Sequence, residues 1–280
     1  AQITGGDQTK AALKLVDENP EKYAETHYDR AGYGKLGFRC DFGPTGMTEV
    51  RQAIIYTINR PEFAQTFTGG YGAVVHGPYY PGSAAYLATK DTININQYNY
   101  SSDSAIAVLE AAGWIYNASG KKFNPKKDDV RYKKLSGYEL SEDNLNFKSV
   151  DNKYKTVKID GAYYMPLAVN WYGTQPNPVT DQLLTAWQNN PAATTAIGMY
   201  ITYTSTDFNK SSAARRKTAM TARGSSTQSS LQQASTPPFT IFRSSGQSIP
   251  ICMITTAQHT LWTKPISLKT TRNNFKETRR

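Results

Sequence analysis

Apolar residues recur at the spacing of amphipathic helices at several places between residues 1 and 210. The clearest stretch begins near Thr48, where Val50, Ala53 and Ile54 fall on one helical face. Prolines and glycines, which start and stop helices, lie at the ends of this stretch and of four other amphipathic stretches. We therefore predict helices over residues 7–18, 48–60, 62–68, 102–112 and 177–188.

Short apolar or alternating stretches predict strands over residues 36–40, 163–171 and 198–204. The last two flank the predicted helix at 177–188 and form a strand–helix–strand crossover unit, which makes the two strands parallel. Gly, Pro and Tyr dominate residues 71–95, where we expect an ordered loop. The polar, lysine-rich residues 117–160 predict hairpins and an exposed excursion. This pattern is typical of a mixed α/β domain with a partly parallel sheet.

Charge divides the chain into two parts. Residues 1–210 carry 21 Lys and Arg against 21 Asp and Glu, whereas residues 211–280 carry 11 basic residues and a single acidic one, Glu277. The net charge of +10 therefore lies entirely in the last quarter, which is rich in Ser, Thr, Gln and Arg and has no sustained apolar periodicity. A disordered basic tail and a segment translated out of frame both account for this change.

The sequence contains no recognisable motif for catalysis or metal binding. The three histidines, His27, His76 and His259, are widely separated, and Cys40 and Cys252 match no zinc spacing. No nucleophile elbow, phosphate-binding loop or dinucleotide-binding fingerprint follows a predicted strand. We therefore predict no catalytic residues, no metal site and no cofactor, so the sequence favours a binding protein over an enzyme.

Three stretches, at residues 49–62, 69–78 and 98–114, carry a family resemblance by their order and intervals. The first reads EVRQAI and continues to TINR, the second contains GGYG and a later Gly-Pro, and the third ends LEAAGW. Together they resemble the solute-binding proteins of oligopeptide and dipeptide ABC importers. Residues 32–38 fit the strand that leads into the first motif helix of that family.

This resemblance covers roughly residues 5–208 and implies a class II periplasmic-binding-protein-like lobe, a mixed sheet flanked by helices. Such proteins are exported or lipid-anchored, bind peptides between two closing lobes and deliver them to a membrane permease. The resemblance thus implies a periplasmic or cell-surface location, a peptide ligand, an ABC permease as partner, and a monomer when intact. We expect the chain to be incomplete at both ends, with residues 1–210 a partial lobe and 211–280 an aberrant tail.

Ligands of open α/β sheets bind beyond the carboxyl ends of the strands. The loop at 171–177 follows a predicted strand and offers an aromatic pair and small polar side chains, which suit an extended peptide held by its backbone. The resemblance also places this loop near the ligand cleft. Core packing of Trp171 and helix capping by Asn177 are the structural alternatives. The predicted ligand-binding residues are Trp171, Tyr172, Thr174, Asn177, Tyr33 and Asp41.

Other functions remain open at the level of sequence. The same fold could bind a sugar or a metal chelate, since fold does not fix the ligand. A nucleic-acid-binding protein driven by the basic tail would show affinity that falls steeply with salt. The balanced charge of residues 1–210 predicts no nucleic-acid partner for that part of the chain.

Overall fold

The computed structural model describes residues 2–3, 7–29, 34, 36–77, 79–187, 194–195, 197–207 and 257–263. The helices in these residues are α1 (Asp7–Glu18), α2 (Thr48–Tyr56), α3 (Arg60–Thr68), α4 (Ala84–Thr89), α5 (Ser102–Ala111), α6 (Glu142–Leu145) and α7 (Pro178–Trp187). The strands are β1 (Gln2–Ile3), β2 (Tyr23–Asp29), β3 (Tyr132–Lys134), β4 (Val157–Ile159), β5 (Ala162–Pro166), β6 (Ala168–Thr174), β7 (Tyr200–Thr206) and β8 (Ala257–Thr263). The predicted mixed α/β class is confirmed.

The strands of the described residues form three small sheets. β1, β8 and β2 make one antiparallel sheet, and β3, β5 and β4 make another. β6 and β7 pair in parallel, with Trp171 opposite Tyr203, and α7 connects them. The crossover unit predicted from the sequence is therefore present.

The core lies around α2. Val50, Ile54 and Ile55 of this helix are at most 1% exposed, and α2 packs against α5, whose Leu109 is fully buried. Trp187 at the end of α7 joins the same core. The helical spacing of the apolar residues thus buries one face of each helix, which fixes the positions of β6 and α7 relative to α2.

Several predicted boundaries differ from the structure. The helix expected over 48–60 ends at Tyr56, and α3 starts at Arg60, because Pro61 has no amide hydrogen to continue the first helix. The strand expected over 163–171 is split at Leu167 into β5 and β6, which join different sheets. The loop expected over 71–95 contains α4. β8 lies within the predicted tail at 211–280, which otherwise falls outside the described residues.

The predicted strand at 36–40 is wrong. Leu36 and Phe38 are buried while Arg39 is exposed, as the alternating pattern suggested, but no strand of the described residues pairs with this segment. Apolar alternation requires only that one side of an extended segment be buried, and a cavity wall satisfies this as well as a sheet does.

Candidate functional site

A cavity of about 370 Å³ lies between β6 and the segment at residues 36–45. Pockets for small ligands start at about this size, near 300 Å³. Most of the side chains around it are apolar, and the α2 and α7 helices close its inner end. Its lining residues with large apolar side chains are Leu36, Phe38, Phe42, Ile54, Phe147, Val169, Trp171, Trp187 and Ile201.

The first five residues of β6 border the cavity. The five consecutive residues from Ala168 to Tyr172 all line it. Since successive side chains of a strand point to opposite faces, a cavity that touches five in a row runs along the strand's edge. Among the described residues β6 pairs only with β7. The edge of β6 that faces the cavity therefore offers backbone groups that no described strand uses.

Trp171 is part of the core as well as the cavity wall. Its side chain is 4% exposed and its ring meets Trp187 edge to face, with centroids 5.2 Å apart. The ring centroid of Tyr203 lies 4.9 Å from that of Trp171. The indole N–H of Trp171 is buried and has no hydrogen-bond acceptor among the described residues. Trp171 therefore packs in the core, as the structural alternative stated, and it also lines the cavity.

The other predicted residues of the 171–177 loop divide into two groups. Tyr172 is half-buried and lines the cavity. Thr174 and Asn177 do not line it. Asn177 donates to the Thr174 hydroxyl at 3.0 Å, and its side-chain oxygen accepts from the backbone N–H of Val179 at 3.0 Å. Asn177 therefore caps α7, as the structural alternative stated, and Thr174 holds the Asn177 side chain.

Asp41 and Tyr33 are the two predicted ligand-binding residues outside the 171–177 loop. Asp41 is exposed and does not line the cavity, but its carboxylate accepts from Nε and Nη2 of Arg39 at 2.9 and 3.2 Å. Arg39 lines the cavity and lies over the ring of Phe42, 4.2 Å from its centroid. Asp41 thus positions a cation at the cavity instead of facing the cavity itself. Tyr33 lies outside the described residues.

Sequence reasoning missed most of the wall opposite β6. Arg39 lies within the apolar alternation of 36–40 and Phe42 lies just after it, so their position beside Asp41 was the available signal. Phe147 reaches the cavity from a polar, lysine-rich stretch, and its neighbours gave no sign of it. Only the folding of residues 117–160 back onto β6 brings this ring to the site.

The two arginines of the first family motif are buried and donate hydrogen bonds to backbone oxygens. Arg51 is 4% exposed and donates to the backbone oxygens of Thr45 and Gly46 at 2.8 and 3.1 Å. It thereby ties the start of α2 to a 3-10 turn at Pro44–Gly46, part of the cavity wall. Arg60 is 3% exposed and donates to the backbone oxygens of Gln97 and Tyr98.

Among the residues that the structure describes, no group of three or more His, Cys, Asp or Glu side chains is placed to hold a metal ion. None of the helices in that part of the chain combines the length and apolar character needed to span a bilayer.

Comparison with known proteins assigns the sequence to a family. Residues 5–245 match the family model for bacterial extracellular solute-binding proteins, family 5, middle region. A search of curated proteins finds no match.

Solved structures give weaker likenesses. NikA from Brucella suis, in complex with Fe(III)-EDTA, is 16% identical with a TM-score of 0.48 over 77% of this chain and 34% of its own. The oligopeptide-binding protein from Thermus thermophilus, complexed with a pentapeptide, is 15% identical with a TM-score of 0.48 over 74% and 29%. AppA from Bacillus subtilis, in complex with a nonapeptide, is 15% identical with a TM-score of 0.46 over 73% and 35%.

The chain spans about a third of the length of these solved proteins. The family model, by contrast, covers most of this chain and includes all three motifs singled out in the sequence. The prediction of a non-enzymatic binding protein is confirmed at the level of the family. The chain belongs to the bacterial extracellular solute-binding proteins of family 5.

Proposed function

We propose that this chain forms the peptide-binding part of a solute-binding subunit that delivers its ligand to an ABC permease. The observation that supports the proposal is the cavity along the open edge of β6. An extended peptide can add its backbone to such an edge, while its side chains enter adjoining pockets. β6 supplies the edge, and the cavity between it and residues 36–45 supplies a pocket.

In this proposal the predicted residues have different tasks. Trp171 and Tyr172 contact the ligand at the cavity wall. Thr174 and Asn177 hold the loop and the start of α7 in place, while Asp41 orients Arg39. Tyr33 stays a prediction for ligand contact. Closure of a second lobe over the cavity would complete the clamp, by the hinge motion of periplasmic binding proteins.

The location and partners of the intact protein follow from this role. The family is extracellular, and we propose a subunit of the periplasm or a lipid-anchored protein of the cell surface. It works as a monomer that docks on its permease. No nucleic-acid partner is part of the proposal.

Calorimetric titration of the 280-residue chain tests the ligand class. A mixture of tripeptides is expected to bind with a saturable heat signal, whereas a disaccharide and Fe(III)-EDTA are expected to give none. Saturable binding of the disaccharide or the chelate, with none of the peptides, would replace the peptide proposal by that solute class.

A short duplex DNA tests the rival function of the basic residues 211–280. Binding by counterion release would fall steeply between 50 and 200 mM salt, by about 10³-fold or more for six phosphate contacts. We expect peptide binding to change little over the same range, because an edge-strand interaction depends on hydrogen bonds and apolar contact. Tight, salt-sensitive DNA binding without peptide binding would favour the nucleic-acid function.

A further inference from the structure

The described lining of the cavity carries a positive charge and no negative one. Arg39 is the one charged residue in the described lining, and no Asp or Glu lines it. Its guanidinium is held on two sides, by the Asp41 carboxylate and by the ring of Phe42. Because Asp41 takes Nε and one Nη2 hydrogen, the Nη1 hydrogens have no partner among the described residues.

Arg39 lies at the rim. Its side chain is 55% exposed, whereas Trp171, Trp187 and Ile54 at the inner wall are at most 4% exposed. The cavity thus changes from a half-exposed cation at its mouth to aromatic and aliphatic surface at its inner end. A guanidinium that is already oriented loses little conformational freedom when it binds a second carboxylate.

The buried indole N–H of Trp171 adds a second donor. It is enclosed by the core and lacks an acceptor among the described residues. An unsatisfied buried donor destabilises the ligand-free protein. A ligand oxygen inside the cavity is an acceptor that would remove this destabilisation. Both polar groups therefore favour a ligand that brings oxygen acceptors.

Resting on the proposed function, we propose that the cavity selects peptides that carry a bulky apolar side chain next to a free carboxylate. The side chain fills the 370 Å³ space between β6 and Phe38, Phe42 and Phe147. The carboxylate binds the free Nη1 side of Arg39 at the rim. An oxygen of the ligand accepts the N–H of Trp171. Peptides with small side chains lose the apolar contact, and amidated peptides lose the carboxylate contact with Arg39.

Calorimetric titration with three peptides tests the selection. Ala-Phe-Ala is expected to bind about thirtyfold more tightly than Ala-Ala-Ala, since burial of the phenyl ring removes its apolar surface from water. Amidation of the carboxyl terminus of Ala-Phe-Ala is expected to weaken binding about fivefold, the upper end for an ion pair with a half-exposed arginine.

Two variants locate the contacts. In Arg39→Gln the amidation penalty is expected to fall to about twofold or less, while the matched charge removal Lys126→Gln, at an exposed loop residue outside the cavity, leaves it unchanged. Trp171→Phe keeps an aromatic ring but removes the pyrrole part of the indole with its N–H, and is expected to weaken the binding of Ala-Phe-Ala by about threefold or more. Arg39 is exposed, so its variant remains informative if the core variant unfolds.

The outcomes separate this selection from peptide binding itself. Equal affinities for Ala-Phe-Ala and Ala-Ala-Ala would overturn the selection while the peptide-binding function stands. A full amidation penalty in Arg39→Gln would show that another group holds the carboxylate, and would overturn the role of Arg39. No binding of any of the three peptides to the wild-type chain would overturn both proposals.

Discussion

The indole N–H of Trp187 donates to the hydroxyl of Thr57 over 3.0 Å, across 130 positions of sequence. Both side chains are buried, at 4% and 3% exposure. The Thr57 hydroxyl donates in turn to the backbone oxygen of Ile54 at 2.7 Å. This bond joins the end of α7 to the end of α2 beside the cavity, and so holds two of its walls together.

Removal of this acceptor is expected to weaken the whole fold. Thr57→Val keeps the shape of the side chain but leaves the indole N–H of Trp187 buried without a partner, which should lower the free energy of unfolding by about 1–3 kcal/mol. Thr57→Ser keeps the hydroxyl and is the control. Urea unfolding followed by circular dichroism measures both, and equal losses in the two variants would mean that the hydroxyl contributes nothing.

Arg131 forms a second long-range connection. Its buried guanidinium donates to the backbone oxygens of Ile197 and Trp114, at 2.8 and 3.0 Å, and to the Glu110 carboxylate at 3.0 Å. Arg131→Met should cost about 3 kcal/mol, because two buried carbonyl groups lose their donor.

The carboxylate partner of Arg131 provides the control. The Glu110 side chain is 51% exposed, so Glu110→Gln should change the free energy of unfolding by less than about 1 kcal/mol. Denaturant midpoints of the two variants give the comparison. A loss in Glu110→Gln as large as in Arg131→Met would assign the stabilisation to the ion pair instead of the carbonyl groups.

Two glycines with left-handed backbone differ only in their surroundings. Gly198 has φ of 74°, and a Cβ there would lie 2.6 Å from Cγ of Arg131 and 2.7 Å from Cζ of Phe123. Gly161, in the turn between β4 and β5, has φ of 79° and open space. Gly161→Ala should cost about 1 kcal/mol for the backbone alone.

Gly198→Ala adds a steric clash of about 1–3 kcal/mol to the same backbone cost. Its thermal midpoint should therefore fall clearly below that of Gly161→Ala. If the two variants melt together, the packing of Arg131 and Phe123 against Gly198 relaxes at no cost. Gly198 precedes β7, so this packing also sets where the second strand of the parallel pair begins.

The sequence predicted those features that local patterns determine. Pro178 marked the start of α7, and the apolar stretches on either side of that helix gave the parallel pair β6 and β7. The family motif around Arg51 could also be recognised in the sequence, but the structural role of Arg51 could not. Arg51 is a buried donor to two backbone oxygens, so packing demands explain this residue without any ligand.

The cavity could not be predicted, because its walls come from distant segments. Phe38, Phe147 and Trp171 meet there from three parts of the chain, and no short-range pattern connects them. The alternation at 36–40 was visible, but it indicates only a half-buried extended segment. Whether that segment pairs or lines a cavity depends on which strands lie beside it in three dimensions.

His76 gives the fold a dependence on pH. Its Nδ1 lies 3.4 Å from Nη1 of Arg60, and burial, together with the positive charge of Arg60, lowers the pKa of His76 below its ordinary value of 6.5. The hydroxyl of Tyr79 accepts from the backbone N–H of His76 and adds no charge near neutral pH. Protonation would place two cations side by side at a point where Arg60 also holds the backbone of Gln97 and Tyr98.

The sign of this dependence follows from proton binding. Because the folded-state pKa of His76 is lowered, the unfolded chain binds more protons as the pH falls below about 6.5. Stability from this residue is therefore fully present above about pH 6.5 and is lost towards the lower folded-state pKa. Urea midpoints at about pH 7.5 and about pH 5.5, on either side of the ordinary histidine pKa, should differ more for the wild-type chain than for His76→Gln, which cannot titrate. An equal drop in both proteins would mean that other groups cause the acid sensitivity, since His76→Gln removes only this titration.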